Sequence, residues 1–399
     1  MRILHTSDWH VGKVLKGQPR LAEQIAVLAQ VVEITRAERP DLVIVAGDLY
    51  DTAAPTPDAT RVVTRALTAL RGTGAAVVAI GGNHDNGAAL DALRPWADAA
   101  GITLRGSVRE DPAEHLIEGV TADGEAWRLA ALPFLSQRYA VRATEMYDLT
   151  AAEATQTYAD HVGRVIGRLT RDFASAASAP ASATSTPTVT GTPTVNLVTA
   201  HLTVVGGQTG GGEREVHTVL GYAVPATVFP TSAHYVALGH LHRAQRVDGP
   251  CPIRYSGSPL AIDFGEQDNV ASVSVVDVTA STAARVREVP LTAATALRTV
   301  RGTLAELEAG EYGDAWLRVF IREAPRAGLR EEVQALLPRA LEVRIDPDLL
   351  PAGGTATPAA RRAGRAPAEL FADYLDSRGH GDDGVRALFD TLYEEVTSS

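Results

Sequence analysis

Arg2-Ile3-Leu4-His5-Thr6-Ser7-Asp8-Trp9-His10 opens the chain with a short apolar run, then a carboxylate and an imidazole two residues apart. The pattern of apolar run and polar motif recurs. Leu42 to Ala46 leads into Gly47-Asp48, and Ala75 to Ile80 into Gly81-Gly82-Asn83-His84-Asp85. Val195 to Thr199 leads into Ala200-His201, and Tyr235 to Leu238 into Gly239-His240-Leu241-His242. Runs this rich in Val, Ile, Leu and Ala read as strands buried on both faces, and in α/β folds ligands collect beyond the carboxyl ends of such strands. The motifs are therefore expected to converge on one edge of a sheet. Helical spacing of Leu21, Ile25, Leu28 and Val32, and of Val62, Ala66 and Leu70, alternates with these strands and points to an α/β fold.

The donors are oxygen and nitrogen, with no thiolate among them. Imidazole, carboxylate and one amide carbonyl suit Mn(II), Fe(II) or Zn(II), and a structural zinc cage built on cysteine is excluded. Asp8, His10, Asp48, Asn83, His201, His240 and His242 are too many ligands for one open catalytic ion. Two ions sharing a carboxylate need about this many groups. Asp48 is the natural bridge, because a carboxylate offers two oxygens where an imidazole offers one nitrogen at a time. Histidines outside these motifs, namely His115, His161, His217, His234 and His380, read as hydrogen-bonded structural side chains. Trp9 is expected to pack beneath the site, and Asp51 to serve as a partner of a ligand or as a cap. Cys251, the only cysteine, excludes an intramolecular disulfide and reads as a small core residue.

The ordered set D-x-H, G-D, G-N-H-D, H, G-H-x-H resembles the calcineurin-like metallophosphoesterase superfamily. Within it, His5 to Gly12, Ala46 to Thr52 and Tyr255-Ser256-Gly257-Ser258-Pro259-Leu260 resemble the SbcD family of bacterial nuclease subunits. The resemblance implies a β-sandwich flanked by helices. It puts Asp8, His10 and His242 on a first ion and Asn83, His201 and His240 on a second, with Asp48 between. It also implies that His84 stands over the substrate phosphate and assists the leaving oxygen, with Asp85 orienting its ring. The ions, manganese first and magnesium as the alternative, would lower the pKa of a shared water and neutralise phosphoryl charge. The implied activity is hydrolysis of DNA phosphodiesters, as an exonuclease on duplex ends and an endonuclease on single strands or hairpins.

A net charge of −11 is awkward for an enzyme acting on DNA, because duplex binding draws on Lys and Arg contacts to phosphate. Lys13, Lys16 and Arg20 follow the first motif and include the chain's only lysines, so they form a candidate contact to the DNA backbone, with Arg243 beside His242 as a second. No 18-residue apolar run is present, and the N-terminus enters a strand at once, leaving no room for a signal peptide. The expectation is a cytoplasmic protein acting at the nucleoid, with no membrane contact.

Composition divides the chain into a first domain, 1–265, a small α+β unit, 266–350, a linker, 351–367, and a helical element, 368–399; the resemblance implies that the first is the nuclease domain and the second a capping domain that helps shape the DNA groove. Residues 174–194, nearly all Ala, Ser, Thr, Pro and Val without charge, read as a flexible insertion. The last element carries Leu370, Phe371 and Tyr374, then Leu388, Phe389 and Leu392. Two short helices cannot bury both faces on each other, so the surplus apolar surface reads as a docking element. The resemblance names its receiver as an SbcC-like coiled-coil ATPase, leaves ATP binding to that partner, and implies a homodimer within a heterotetramer. Two other readings stay open. One is a phosphatase or cyclic-nucleotide phosphodiesterase, against which Gly47-Asp48-Leu49-Tyr50-Asp51-Thr52 departs from the G-D-x-V-D-R-G of the protein phosphatases. The other is a DNA-end tether whose metal site only binds.

Overall fold

The computed structural model describes residues 1–136, 158–173, 193–213, 222–349 and, near the C-terminus, 370–372, 374–375, 384–386 and 388–389. From the N-terminus, β1 (Arg2–Thr6) leads to a hairpin of β2 (Val14–Leu15) and β3 (Gln18–Pro19), then helix α1 (Leu21–Glu38) and β4 (Leu42–Ala46). Helix α2 (Pro57–Arg71), β5 (Ala76–Ile80), helices α3 (Gly87–Ala92) and α4 (Arg94–Ala99), and β6 (Ile102–Arg105) follow. The second run is β7 (Leu116–Val120), β8 (Ala126–Leu132), helix α5 (Tyr158–Leu169), β9 (Thr194–His201), and short β10 (Thr203–Val204) and β11 (Ala223–Val224). It ends in β12 (Tyr235–Gly239), β13 (Gln245–Val247) and β14 (Ile253–Tyr255).

Two six-stranded sheets result, ordered β16-β15-β1-β4-β5-β6 and β13-β14-β12-β9-β8-β7, where β15 is Ser272–Thr279 and β16 is Thr282–Pro290. The strands at the centre of each sheet are parallel. Their inner faces meet through Ile3, Leu42, Ile44 and Ile80 on one side and Leu129, Leu197, Tyr235 and Ala237 on the other. The outer face of the first sheet is covered by α1 and α2, that of the second by α5. Alternation explains this: Leu42 and Ile44 face the opposite sheet, Val43 and Val45 the helices. The strands are thus buried on both faces, as their composition requires.

Three expectations need correction. The ligand motifs come from two facing sheets, not one: three leave the first sheet and two the second. The domain boundary at 266 is too early, because β15 pairs antiparallel with β1 and β16 with β15, extending the first sheet to Pro290. On α1 the buried face is Gln24, Val27, Leu28, Val31, Val32 and Thr35, while Ile25 is 49% exposed. The helix is rotated by the need to pack Gln24 against the first motif, where its amide donates to His10 O and accepts from Gly12 N.

The small domain follows: β17 (Leu297–Gly302), helix α6 (Leu304–Glu308), β18 (Trp316–Ile321), helix α7 (Leu329–Leu336) and β19 (Ala340–Ile345). Its parallel three-stranded sheet carries both helices on one face, with Leu307, Leu317, Val319, Ile321, Leu329 and Val333 as its core. It docks on the body through Leu297, Trp316 and Leu341 packed against Leu15, Ala261 and Phe264. Trp316 Nε1 also donates to Glu23 Oε1 at 3.0 Å. The proposed insertion 174–194 lies, apart from its last two residues, outside the described residues, as does the 351–367 linker.

Candidate metal centre

Three of the five motifs leave their strands through backbone that few side chains tolerate. Asp8 (φ 54°), His10 (46°), Asp48 (50°) and His240 (101°) all adopt positive φ, which costs about 1–3 kcal/mol each where surrounding structure enforces it. The enforcement is visible in hydrogen bonds. Asp8 N donates to Gly47 O, and His10 N to Asp48 O, both at 3.0 Å, while His240 N donates to Asp8 Oδ1 at 2.9 Å. Two of the motif glycines are there for close approach: a Cβ on Gly47 would lie 2.1 Å from His201 Nδ1, and one on Gly239 1.9 Å from Ala46 O.

All seven expected ligands meet at this point. His10 Nε2 and His242 Nε2 are 3.1 Å apart and fully buried, with Asp8 and Asp48 beside them. Asn83 Oδ1 lies 2.8 Å from both His201 Nε2 and His240 Nδ1. Between these groups sits Asp48. Its Oδ2 is 3.6 Å from His10 Nε2 and 3.4 Å from His201 Nε2, and its Oδ1 accepts from His84 N at 2.8 Å.

The donor set fits divalent cations. His201 Nδ1 donates to Ala46 O at 2.8 Å and His242 Nδ1 to Glu266 Oε1 at 2.6 Å, so each turns an Nε2 lone pair into the site. Two buried imidazole nitrogens at 3.1 Å would oppose each other unless a proton or a cation stood between them. Without ions, the electrostatics show the same demand for positive charge. Burial opposes charge on His201, but Asp48 outweighs it and pushes the ring up to about 9. For His242, burial is likewise overcome by Glu266, raising it to about 10. Burial holds His10 well below its usual value. Burial also raises Asp8, whereas Asp48 is held well below the carboxylate range because His201 and His10 overcome its desolvation.

His84 stands at the mouth of this cluster, its ring 4.6 Å from that of His10 at an interplanar angle of 86°. Its Nδ1 donates to Asp51 O at 2.7 Å. The expected orienting role of Asp85 is therefore corrected: Asp85 instead accepts from the backbone N–H groups of Leu49, Tyr50 and Gly82, tying the Asp48 and Asn83 loops together. Burial and the nearby Asp48 raise its carboxyl to about 7. Asp51 also places Oδ1 3.7 Å from His10 Nδ1 and 3.2 Å from Lys13 Nζ.

Two supporting carboxylates carry no motif in the sequence. Glu266, 1% exposed, holds His242 with one oxygen and accepts from Ile262 N with the other. Glu213 gathers the N–H groups of Gly210, Gly211, Gly212 and His242, fixing the glycine turn against the ligand loop. The Tyr255–Leu260 stretch buttresses Asp8: Ser256 Oγ is 2.8 Å from Ser7 Oγ, which donates to Asp8 Oδ2, and Ser258 Oγ donates to Asp8 O. Trp9 is buried and donates to Thr6 Oγ1.

Of the basic residues near the site, Lys13 is half-buried against Asp51, Lys16 lies 3.8 Å from Glu342 of the small domain, and Arg243 is exposed. Arg20 does not belong with them. Its guanidinium is fully buried and bonds Glu23, Ala261 O and Thr295 O, a polar pin at the domain junction that no DNA backbone could reach. His115 and His234 use both ring nitrogens on backbone groups and are structural. His217 and His380 lie outside the described residues. In the C-terminal element Phe371 and Phe389 stack on each other, ring centroids 4.1 Å apart, while Tyr374 and Leu388 are 55% and 58% exposed. Leu370 is half-buried, and Leu392 lies outside the described residues.

Two stacked mixed sheets with carboxylates, imidazoles and an amide gathered at their strand ends define a metallophosphoesterase, and the calcineurin-like phosphoesterase family matches residues 1–137. Curated relatives narrow this. The chain is 34% identical to the D component of the SbcCD nuclease of Bacillus subtilis (strain 168) over 83% of its length and 81% of that protein's. It is 34% identical to the component of the same name from Rhodobacter capsulatus, covering 71% and 68% of the two chains. Against that of Escherichia coli (strain K12) the identity is 30%, with coverage of 77% and 73%. The chain belongs to the SbcD family.

Proposed function

We propose that this protein is a manganese-dependent DNA nuclease, hydrolysing phosphodiesters at duplex ends as an exonuclease and in single strands or hairpins as an endonuclease. The observation that carries the reading is Asp48 standing between two donor sets, with Asp8, His10 and His242 on one side and Asn83, His201 and His240 on the other. Bound divalent ions would supply an acidified water and neutralise charge on the phosphoryl oxygens. The remaining work falls to protein groups. His84, with Nδ1–H fixed on Asp51 O, turns its other nitrogen to the leaving oxygen and, when protonated, donates to it. Glu266 and Ala46 O fix the tautomers of His242 and His201, and Asp85 keeps the loops bearing Asp48 and Asn83 in register. No serine or cysteine nucleophile is needed.

The relatives' name places them in an SbcCD assembly, which supports an SbcC-like coiled-coil ATPase as partner, with DNA as substrate. We assign the exposed Tyr374 and Leu388 to that contact, with two such chains in a heterotetramer and the whole acting in the cytoplasm. Among the described residues, no helix is long and apolar enough to cross a membrane. Cleavage of labelled duplex, hairpin and single-stranded DNA with Mn(II) or Mg(II), with and without the ATPase and ATP, tests the reading. Ion binding without cleavage of any substrate would favour the tether, and hydrolysis of phosphomonoesters alone would favour a phosphatase.

A further inference from the structure

One fully buried histidine has no part in the chemistry above. His5 lies on β1, three residues before Asp8, and alternation turns it with Ile3 toward the facing sheet. Most of what meets there is apolar. His5 instead spends both ring nitrogens on β12: Nε2 lies 3.1 Å from Leu238 O, and Nδ1 3.0 Å from Tyr235 Oη. A carbonyl can only accept, so Nε2 carries the hydrogen and Nδ1 accepts from the Tyr235 hydroxyl. Burial holds the ring at about 3, which keeps it neutral in this tautomer.

These two bonds tie together the strands that carry the first and last ligand motifs. β1 leads to Asp8 and His10, and β12 to His240 and His242. Both donor sets are divided between the sheets. Asp8 and His10 of the first sheet face His242 of the second, and Asn83 of the first faces His201 and His240 of the second. A slide of one sheet over the other would therefore pull both sets apart, and ion donors need placement to about 0.5 Å. Apolar contact is non-directional, so it sets the spacing of the sheets more than their register. A hydrogen bond is directional and weakens steeply below about 120°. Two other bonds that cross between the sheets here, His201 Nδ1 to Ala46 O and His240 N to Asp8 Oδ1, are made by the ligands themselves and move with them.

We propose that His5 is a positioning residue, which with Tyr235 clamps β1 to β12 and so holds the two halves of both donor sets at ion-binding distance. The inference rests on the two-ion reading above and assigns the residue that keeps the sheets in register for it. The ring bonds Tyr235 and the Leu238 carbonyl, neither of which is a ligand, so its effect on the ions passes through the strands.

The test titrates Mn(II) into the ion-free full chain by calorimetry and records the EPR spectrum of the loaded centre, whose coupling reports the separation of the two ions. Circular dichroism confirms that each variant folds. His5→Phe keeps a ring but removes both bonds, and should weaken both binding steps about a hundredfold and alter the coupling. Tyr235→Phe removes the hydroxyl alone and should weaken both steps about tenfold. His5→Gln keeps an N–H for Leu238 O and should bind both ions within about tenfold of the wild type. Ile44→Val trims the same core without touching the clamp; it should cost stability and leave both steps and the coupling unchanged. Wild-type affinity and coupling in folded His5→Phe, a loss confined to one step, a His5→Gln as impaired as His5→Phe, or an equal loss in Ile44→Val overturns the proposal. If His5→Phe does not fold, Tyr235→Phe decides, and unaltered affinity for both ions overturns it. No ion bound by the wild type overturns the two-ion reading and the clamp with it. Cleavage of DNA by the wild type, measured in parallel, separates the two readings: two ions and cleavage with unaffected variants removes the clamp alone, and clamp-dependent ion binding without cleavage removes the nuclease alone.

Discussion

The metal centre and the open sheet of the small domain hold their polar groups by opposite means. At the centre, short side chains are fixed by backbone: residues at positive φ, amides on Asp8, Asp48, Asp85 and Glu213, and glycines that admit a ring where a methyl would collide. On the open sheet, long arginines reach over a ring and share partners with one another. A donor set for ions tolerates little displacement, so its precision comes from strained, over-determined backbone. The arginines of the open sheet are held by a ring face and shared carboxylates, and need no strained backbone.

The sharpest way to break this comparison is Asp48→Ala. One carboxylate faces both donor sets, so the variant should lose both ions and all measurable cleavage, with manganese titration by calorimetry or EPR as the readout. Two ions retained at unchanged affinity would assign the bridge to another residue. His84→Gln should keep both ions and lose about a hundredfold in cleavage rate, since its ring acts on the leaving oxygen. Metal content measured alongside rate checks this; a wild-type rate refutes it.

Glu266→Gln sharpens the contrast from outside the ligand set. It exchanges a charged acceptor for a neutral one at His242 Nδ1 and should weaken manganese binding about 10- to 100-fold without changing the number of ions. The pH dependence follows from the raised imidazoles. In the ion-free protein His201 and His242 hold protons up to about 9 and about 10, so each ion must displace one. Manganese affinity should therefore rise by about tenfold per pH unit at each set between pH 6 and 8, and flatten above about 10. Because both folded values are raised, their contribution to ion-free stability is fully present below the ordinary histidine pKa and is lost as pH rises through about 9 to 10. An affinity independent of pH would contradict the assigned proton positions. The smallest effect belongs to the domain junction: Trp316→Phe removes the donor to Glu23 and should lower stability by about 1 kcal/mol in urea melts, leaving ion affinity untouched.

The candidate site was legible because metal chemistry restricts its residue types, and because strands that end in a ligand keep the ligand next to an apolar run. Asp8, His10, Asp48, Asn83, His201, His240 and His242 could be named from the five motifs together with the family resemblance that those motifs carry. Glu213 and Glu266 could not. They lie in loops, carry no periodic neighbour, and become supports only where the fold brings them against His242. Arg20 misled for the related reason that a cation beside a ligand motif looks the same in sequence whether it faces solvent or a buried carboxylate such as Glu23.

The sequence by itself determined the strand–helix alternation, the donor chemistry and the family, since each is written in local composition and in the identity of the motif residues. Tertiary structure alone decided that the donors arise from two sheets, that β15 and β16 complete the first of them, and that Asp51 rather than Asp85 holds His84. It also decided that Phe320 stands in a row of guanidiniums rather than in a core. Strand pairing and the facing of side chains depend on contacts between residues far apart in the chain, and such contacts leave no mark on the spacing of either partner.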